Sequence, residues 1–145
     1  MPNFSILVLP GDGVGPEVMH EALKVLSVIQ SNTSTAFSLT HDLCGGCSID
    51  MHGVAVTPAV VNLAKKADAV FFGSAGGPKW GAGKVRPEEG LLTLRKELDT
   101  FANMRPCRFY SNSLVHLSPL KRELVEGTNF MLSMCTYGFE GENGW

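Results

Sequence analysis

Two arginines and two leucines in the second half of the chain have the residue types and spacing of a small-molecule site. Arg95 and Arg105 lie ten residues apart, and a guanidinium stays charged and binds a carboxylate through two parallel hydrogen bonds. Leu91 and Leu92 precede Arg95 by four and three residues, so the three side chains share one face if this segment is a helix. The pattern is compatible with a site that binds carboxylates beside a branched alkyl group. An amphipathic helix with buried leucines and exposed basic residues would show the same pattern.

A glycine-rich stretch, GSAGGPKWGAGKVRPEEG, occupies residues 73–90 directly before these leucines. Residues 76–88 within it are referred to below as the glycine-rich loop. Glycines allow the backbone to approach a ligand closely because they have no side chain. A mobile surface loop is the alternative interpretation, since glycine and proline are common in such loops as well.

Two shorter motifs suggest chemistry that their spacing does not support. GDGVG, residues 11–15, follows an apolar run as a dinucleotide fingerprint does, but its third glycine comes one residue early and Pro16 removes a backbone N–H. We interpret it as a tight strand-to-helix turn. CGGC, residues 44–47, lacks the second ligand pair that a zinc site needs, and its glycines favour a loop. The four histidines show no ligand spacing, so the sequence predicts no metal site.

The elements that must position these residues alternate between strands and helices. Short apolar runs predict buried strands at residues 4–9, 36–43, 69–73 and 104–110 and from residue 129. Helical periodicity and proline at the first turn predict helices from residue 16, over 57–66 and 91–101, and within 120–127. The first of these helices would bury Val18, Ala22, Leu26 and Ile29. The alternation predicts an α/β fold with a largely parallel sheet.

Composition excludes several classes of protein. A formal net charge of −2 without a basic block argues against a nucleic-acid partner. No apolar run approaches the roughly 20 residues that span a bilayer, and the N-terminus resembles neither a signal nor a transit peptide. Four cysteines without a secretory signal predict reduced thiols in the cytoplasm.

Five segments in a fixed order resemble one enzyme family. LPGDGVGPEV, ADAVFFG, GGPKW, RPE and LLTLRKELDTFANMRP resemble the NAD(P)-dependent β-decarboxylating dehydrogenases, the isocitrate and isopropylmalate dehydrogenase family. The resemblance runs from about residue 6 to residue 132 and covers less than half of a family member. It implies an isopropylmalate dehydrogenase-like fold, not a Rossmann fold, with an incomplete first domain over residues 1–132.

The resemblance also implies an oxidoreductase of leucine and other branched-chain amino-acid biosynthesis. It assigns substrate binding to Arg95, Arg105, Leu91 and Leu92, and cofactor binding to Gly76, Gly77, Pro78, Lys79 and Glu88. The cofactor is NAD, and Glu88 is expected near its nicotinamide end. Isocitrate-type relatives carry a polar residue where this chain has leucines, so isopropylmalate is favoured as the substrate. Another alkylmalate is the close competitor.

Several parts of the family machinery have no counterpart in this sequence. The resemblance implies Mg²⁺ or Mn²⁺ held by aspartates far downstream, together with a third arginine, a tyrosine and a lysine. We therefore assign no catalytic and no metal-binding residue, and we expect the chain to fold poorly and to be inactive alone. Family members are homodimers, so a non-catalytic partner of a full-length homologue is a further alternative.

The last residues, 133–145, are expected to be a non-homologous tail. The match to the family ends at Leu132, and the letters around Tyr137 stand in the wrong order for a role to be transferred. Ser-Met-Cys at 133–135 can be encoded with an intron splice signal. We therefore expect the tail to be a translated intron.

Overall fold

A computed structural model describes residues 2–81 and 83–135 of the chain, with only the backbone given for Cys135. The chain divides into two compact units, Met1–Asp99 and Thr100–Trp145. The predicted tail at residues 136–145 and Tyr137 lie outside the described residues.

The first unit is an α/β structure around a parallel sheet, as the sequence predicts. Its elements are β1 (Asn3–Gly11), α1 (Gly15–Asn32), β2 (Ala36–His41), α2 (Gly46–His52), α3 (Pro58–Lys66), β3 (Ala69–Ser74), one 3-10 turn (Pro78–Trp80) and α4 (Glu88–Glu97). The strand order is β2-β1-β3, and β1 is parallel to both neighbours. The carboxyl ends of all three strands therefore meet at one edge, which is where parallel sheets carry their sites.

The core lies on both faces of β1, because side chains alternate across a strand. Leu7 and Leu9 pack on one face with side chains of α3 and with Leu94 of α4. Ile6 and Val8 pack on the other face against Met19 of α1. A central strand buried on both sides is what the continuous apolar run predicts.

The buried face of α1 agrees with the predicted one only in part, since Ala22 is half-buried and Leu26 packs on the core. Met19 is buried, and Leu23 and Leu26 pack beside it, whereas Val18 and Ile29 are largely exposed. A Cβ atom on Gly15 would overlap the carbonyl oxygen of Pro10, so α1 begins directly against the end of β1.

A second difference is α2, which forms where glycines predict a loop. The helix begins at Gly46, inside the CGGC motif, and ends at His52. Gly53 closes it in a left-handed conformation and donates its N–H to the Ile49 carbonyl at 2.8 Å. The Asp12 carboxylate accepts hydrogen bonds from the Gly46 and Cys47 N–H groups and so offsets the low helix propensity of Gly46.

The other helices of this unit begin and end for local reasons. Thr57 caps α3 by accepting a hydrogen bond from the Val60 N–H, as its position before Pro58 predicts. The helix predicted at residues 91–101 is instead Glu88–Glu97. It ends early because Asp99 takes a left-handed conformation with φ of 53°, which a helix cannot continue.

The second unit contains an antiparallel ribbon and two short helices. Its elements are β4 (Ala102–Arg108), α5 (Asn112–Val115), α6 (Arg122–Val125) and β5 (Asn129–Cys135). Arg105 stands directly opposite Leu132 in the ribbon. Ser111 caps α5 by accepting a hydrogen bond from the Ser113 N–H. Within the described part of the chain, no helix is long and apolar enough to span a membrane.

Candidate active site

Helix α4 packs on the core through Gly90 and Leu94. Leu94 is only 3% exposed. A Cβ atom on Gly90 would lie 2.7 Å from the Ala55 carbonyl oxygen and 2.9 Å from the Cys44 sulfur, distances at which ordinary side chains do not fit. The missing side chain thus lets the start of α4 lie directly against the segment between β2 and α3.

The opposite side of α4 carries the residues that the sequence predicts for the site. Glu88, Leu91, Leu92 and Arg95 stand at i, i+3, i+4 and i+7, which places them on one face of the helix. Leu92 is 59% exposed and Leu91 is half-buried. The alternative in which both leucines belong to the core is therefore wrong, because the core leucine is Leu94. The face presents a carboxylate, two leucines and a guanidinium over roughly 10 Å of helix.

The glycine-rich loop brings Gly76 against the first residue of α4. Gly76 has φ of 101°, and a Cβ atom there would lie 2.7 Å from the Glu88 carboxylate oxygen. The conformation at Gly76 favours glycine, and the absence of a side chain there leaves room for the Glu88 carboxylate. Two of the predicted cofactor residues, Gly76 and Glu88, are thereby placed side by side at the start of the α4 face.

The middle of the loop is attached to α2 by two adjacent side chains. The Lys79 ammonium lies 2.6 Å from one carboxylate oxygen of Asp50, and the Trp80 indole N–H donates to the other at 3.1 Å. Lys79 also lies over the Trp80 ring. Hydrogen bonds from Lys79 and then Trp80 lower the pKa of Asp50. No local sequence pattern indicates this attachment, because Asp50 and Trp80 are distant in the chain.

Asp12, from the GDGVG motif, joins the loop to α2 and β1. It is 3% exposed, and its carboxylate accepts hydrogen bonds from the N–H groups of Gly46 at 2.6 Å, Cys47 at 2.8 Å and Gly76 at 2.9 Å. A buried carboxylate needs such partners. It also serves as the missing cap of α2, since Gly46 and Cys47 provide the first free N–H groups of that helix.

The backbone around Asp12 confirms the interpretation of GDGVG as a tight turn. The Asp12 N–H donates to the Ser74 carbonyl at 2.8 Å, and the Ser74 hydroxyl donates to the Asp12 carbonyl at 2.6 Å. The Gly15 N–H donates to the same Asp12 carbonyl at 2.8 Å. These bonds fold β1 into α1 and fix the end of β3 beside the turn.

Arg105, the remaining predicted substrate residue, belongs to the second unit. It stands in the middle of β4 and shares a face of the ribbon with Leu132, its partner across the two strands. Leu132 is 44% exposed. The ribbon thus presents a guanidinium next to an apolar side chain, as the α4 face does in the first unit.

Comparison with known proteins establishes the family. The sequence model described as isocitrate/isopropylmalate dehydrogenase matches residues 5–135. The chain belongs to the isocitrate and isopropylmalate dehydrogenase family. Among curated relatives, it is 54% identical to the 3-isopropylmalate dehydrogenase of Pichia angusta over 128 residues, which is 88% of this chain and 35% of that protein. It is 53% identical to that of Hapsidospora chrysogena over 143 residues, 97% of this chain and 38% of that protein.

Solved structures of the family share the fold. A β-decarboxylating dehydrogenase from Thermococcus kodakarensis matches with a TM-score of 0.68 and 25% identity, over 92% of this chain and 34% of that one. Isocitrate dehydrogenase from Methylococcus capsulatus matches with a TM-score of 0.61 and 25% identity, over 72% of this chain and 29% of that one. The chain thus spans about a third of the length of these relatives, and the predicted division at residue 132 stays a prediction.

The CGGC thiols of this family member are protonated at neutral pH. Burial, followed by the neighbouring Cys47, raises the pKa of the Cys44 thiol from 9.0 to about 12. Burial also raises the pKa of Cys47, whose thiol donates to the Cys44 carbonyl at 3.3 Å. Thiolates, not thiols, act as nucleophiles and metal ligands. The pair therefore packs as small side chains, and Cys44 fills the space next to Gly90.

Raising the pH above about 9 is expected to destabilise the first unit through Cys44. Its pKa is higher in the folded chain than in the unfolded chain. Its contribution to the free energy of unfolding is therefore complete below pH 9.0. That contribution is lost as the pH rises toward 12, by at most about 1.4 kcal/mol per pH unit. Urea unfolding between about pH 7 and pH 10 should show that the free energy of unfolding falls more steeply with pH in the unsubstituted chain than in Cys44→Ala. Cys107→Ala, which removes a thiol outside this core, serves as the control. Equal slopes in parent and Cys44→Ala would contradict the prediction.

Proposed function

We propose that this chain supplies the cofactor loop and part of the substrate site for NAD-dependent oxidative decarboxylation of 3-isopropylmalate. The observation that carries the proposal is the order of groups along α4. Glu88 stands beside the glycine-rich loop, Leu91 and Leu92 follow at the next turn, and Arg95 stands one turn further. In that order, Glu88 would lie at the cofactor, the leucines would contact an alkyl group and Arg95 would bind a carboxylate.

The substrate residues divide the recognition between charge and shape. Arg95 and Arg105 each offer a guanidinium suited to a malate carboxylate. Leu91 and Leu92 offer an apolar surface where the isopropyl group replaces the third carboxylate of isocitrate. A hydrophobic surface discriminates against a charged group because that group would lose its hydration there. The same leucines leave a related alkylmalate as the second candidate substrate.

The cofactor residues fit a nicotinamide nucleotide in their chemistry. We assign the approach of the cofactor to Gly76, Gly77 and Pro78, because the two glycines have no side chain and allow the backbone to come close to a ligand. Glu88 carries a negative charge suited to the cationic nicotinamide ring. Lys79 is also assigned to the cofactor site, and its ammonium pairs with Asp50 of α2. When bound, NAD⁺ would accept a hydride from the carbon that carries the hydroxyl group. The residues of this chain orient the reactants, and none of them is assigned a proton transfer.

The divalent cation implied by the family is not assigned to this chain. Across residues 2–81 and 83–135, no three His, Cys, Asp or Glu side chains stand close enough together to hold a metal ion. We propose that Mg²⁺ or Mn²⁺ is held by residues of the complete family protein that lie elsewhere. For that complete protein we further propose a homodimer in the cytoplasm.

A chimera tests the proposed function without requiring that this chain be active alone. In it, residues 1–132 replace the matching segment of the Pichia angusta 3-isopropylmalate dehydrogenase. We expect the purified chimera to reduce NAD⁺ with 3-isopropylmalate and Mg²⁺. We expect kcat/KM for isocitrate to be lower by about 100-fold or more, since isocitrate places a charge against leucines. A folded chimera that prefers isocitrate, or that lacks activity with 3-isopropylmalate, would refute the proposed function.

A further inference from the structure

We infer that Asp12 is a positioning residue that sets the place of the glycine-rich loop, and thereby of the cofactor, against α2. The inference rests on the proposed function for the role of the loop. It rests on geometry for the role of Asp12. Nothing in the motif itself assigns a role to this carboxylate, since the interpretation of GDGVG as a turn uses only its backbone.

The carboxylate connects three segments that follow three different strands. One oxygen accepts from both Gly46 of α2 and Gly76 of the loop, and the other accepts from Cys47. The partners lie 34, 35 and 64 residues from Asp12 in sequence. Because a single oxygen is shared by α2 and the loop, a displacement of one segment changes the hydrogen bond of the other.

Two glycines leave the space that the Asp12 carboxylate and the Trp80 ring occupy. A Cβ atom on Gly45 would overlap the Asp12 carboxylate, and one on Gly46 would overlap the Trp80 ring. The two glycines of CGGC therefore have a purpose that metal or redox chemistry does not explain. Gly45 admits the carboxylate from one side and Gly46 admits the indole from the other.

The loop is consequently held at two points with two of the predicted cofactor residues between them. Asp12 holds Gly76 at the first point, and Asp50 holds Lys79 and Trp80 at the second. Gly77 and Pro78 stand between these points. The first point is buried and uses charge-assisted hydrogen bonds, whereas the second is exposed, where ion pairs contribute little. Asp12 is therefore the dominant constraint on where the loop begins.

Asp12→Asn is the variant that isolates the carboxylate, because it keeps the shape and removes one acceptor. An amide group offers one acceptor oxygen and one NH₂ donor, so it cannot accept from all three N–H groups. Ser74→Ala is the matched control. It removes a hydrogen bond to the Asp12 backbone carbonyl and leaves the carboxylate untouched.

Amide hydrogen exchange in the 145-residue chain tests the positioning directly. In the unsubstituted chain, the N–H groups of Gly46, Cys47 and Gly76 should be protected. In Asp12→Asn their exchange should accelerate by about tenfold or more, which corresponds to the loss of one hydrogen bond to a charged group. In Ser74→Ala the Gly76 exchange should change by less than about threefold. Unprotected Gly76 in an unsubstituted chain whose β1 amides are protected would overturn the inference even if Asp12→Asn does not fold.

Binding of NADH tests whether the positioning serves the cofactor. Trp145→Phe leaves Trp80 as the remaining tryptophan of the two in the chain, so energy transfer from Trp80 to the reduced nicotinamide reports binding at the loop. Asp12→Asn should raise the dissociation constant by about tenfold or more, and Ser74→Ala should leave it within about threefold. Equal affinity in parent and Asp12→Asn would overturn the inference. If NADH does not bind the Trp145→Phe chain, the Gly76 exchange decides the role of Asp12, and the chimera decides the cofactor assignment.

Discussion

Replacing Arg95 with alanine in the chimera is expected to reduce kcat/KM for 3-isopropylmalate by about 100- to 1,000-fold. The substitution removes a guanidinium that we assign to a substrate carboxylate, and it leaves that carboxylate without its charged partner. Arg95→Lys should recover only part of the loss, because an ammonium keeps the charge but not the two parallel donors. Initial rates of NAD⁺ reduction at several substrate concentrations measure both effects.

Arg122→Ala is the matched control for this substitution. Arg122 is an exposed arginine whose guanidinium pairs with Glu126 one turn later in the chain, and we assign it no part in the site. Its removal should leave kcat/KM within about twofold of the parent chimera, since exposed ion pairs contribute little. If Arg95→Ala behaves like Arg122→Ala, Arg95 does not bind the substrate.

Replacing Gly11 with alanine is expected to destabilise the chimera by about 4 kcal/mol or more, or to prevent folding. Gly11 ends β1 with φ of 74°, and a Cβ atom there would overlap the Ser74 carbonyl oxygen. That carbonyl accepts the Asp12 N–H, so the overlap lies at the junction of β1, β3 and the turn. Urea unfolding at a fixed protein concentration measures the change.

Gly53→Ala separates the two causes of that loss. Gly53 has nearly the same φ, 75°, but a Cβ atom there would have nothing within 4 Å. Its substitution should cost only the conformational strain, about 1–2 kcal/mol. The difference between the two variants therefore reports the overlap with Ser74. Equal losses would mean that β1 and β3 separate enough to accept a side chain.

The parts of the fold that the sequence predicts are those governed by local patterns. The apolar run through Leu7 and Leu9 identifies the central strand, and Thr57 before Pro58 marks the start of α3. The shared face of Leu91, Leu92 and Arg95 follows from helical spacing alone. What spacing could not decide is which leucine lies in the core, because that depends on how Gly90 packs against Ala55.

The parts that the sequence does not predict depend on contacts between distant segments. Helix α2 forms on two glycines because Asp12 accepts from its first N–H groups. Low intrinsic propensity at Gly46 is thus overridden by a tertiary hydrogen bond. The close contact of Gly15 with the Pro10 carbonyl is likewise a tertiary feature that the apolar periodicity of α1 does not indicate. Single-sequence reasoning has no access to such partners.

A crystal structure of the chimera with 3-isopropylmalate and NAD⁺ tests the central claim most directly. We predict that the isopropyl group lies against Leu91 and Leu92, with a carboxylate on the Arg95 guanidinium. We also predict that the nicotinamide ring lies at the Glu88 end of α4. A substrate bound with its alkyl group away from these leucines, or a nicotinamide ring far from Glu88, would contradict the order of groups that we assign to this helix.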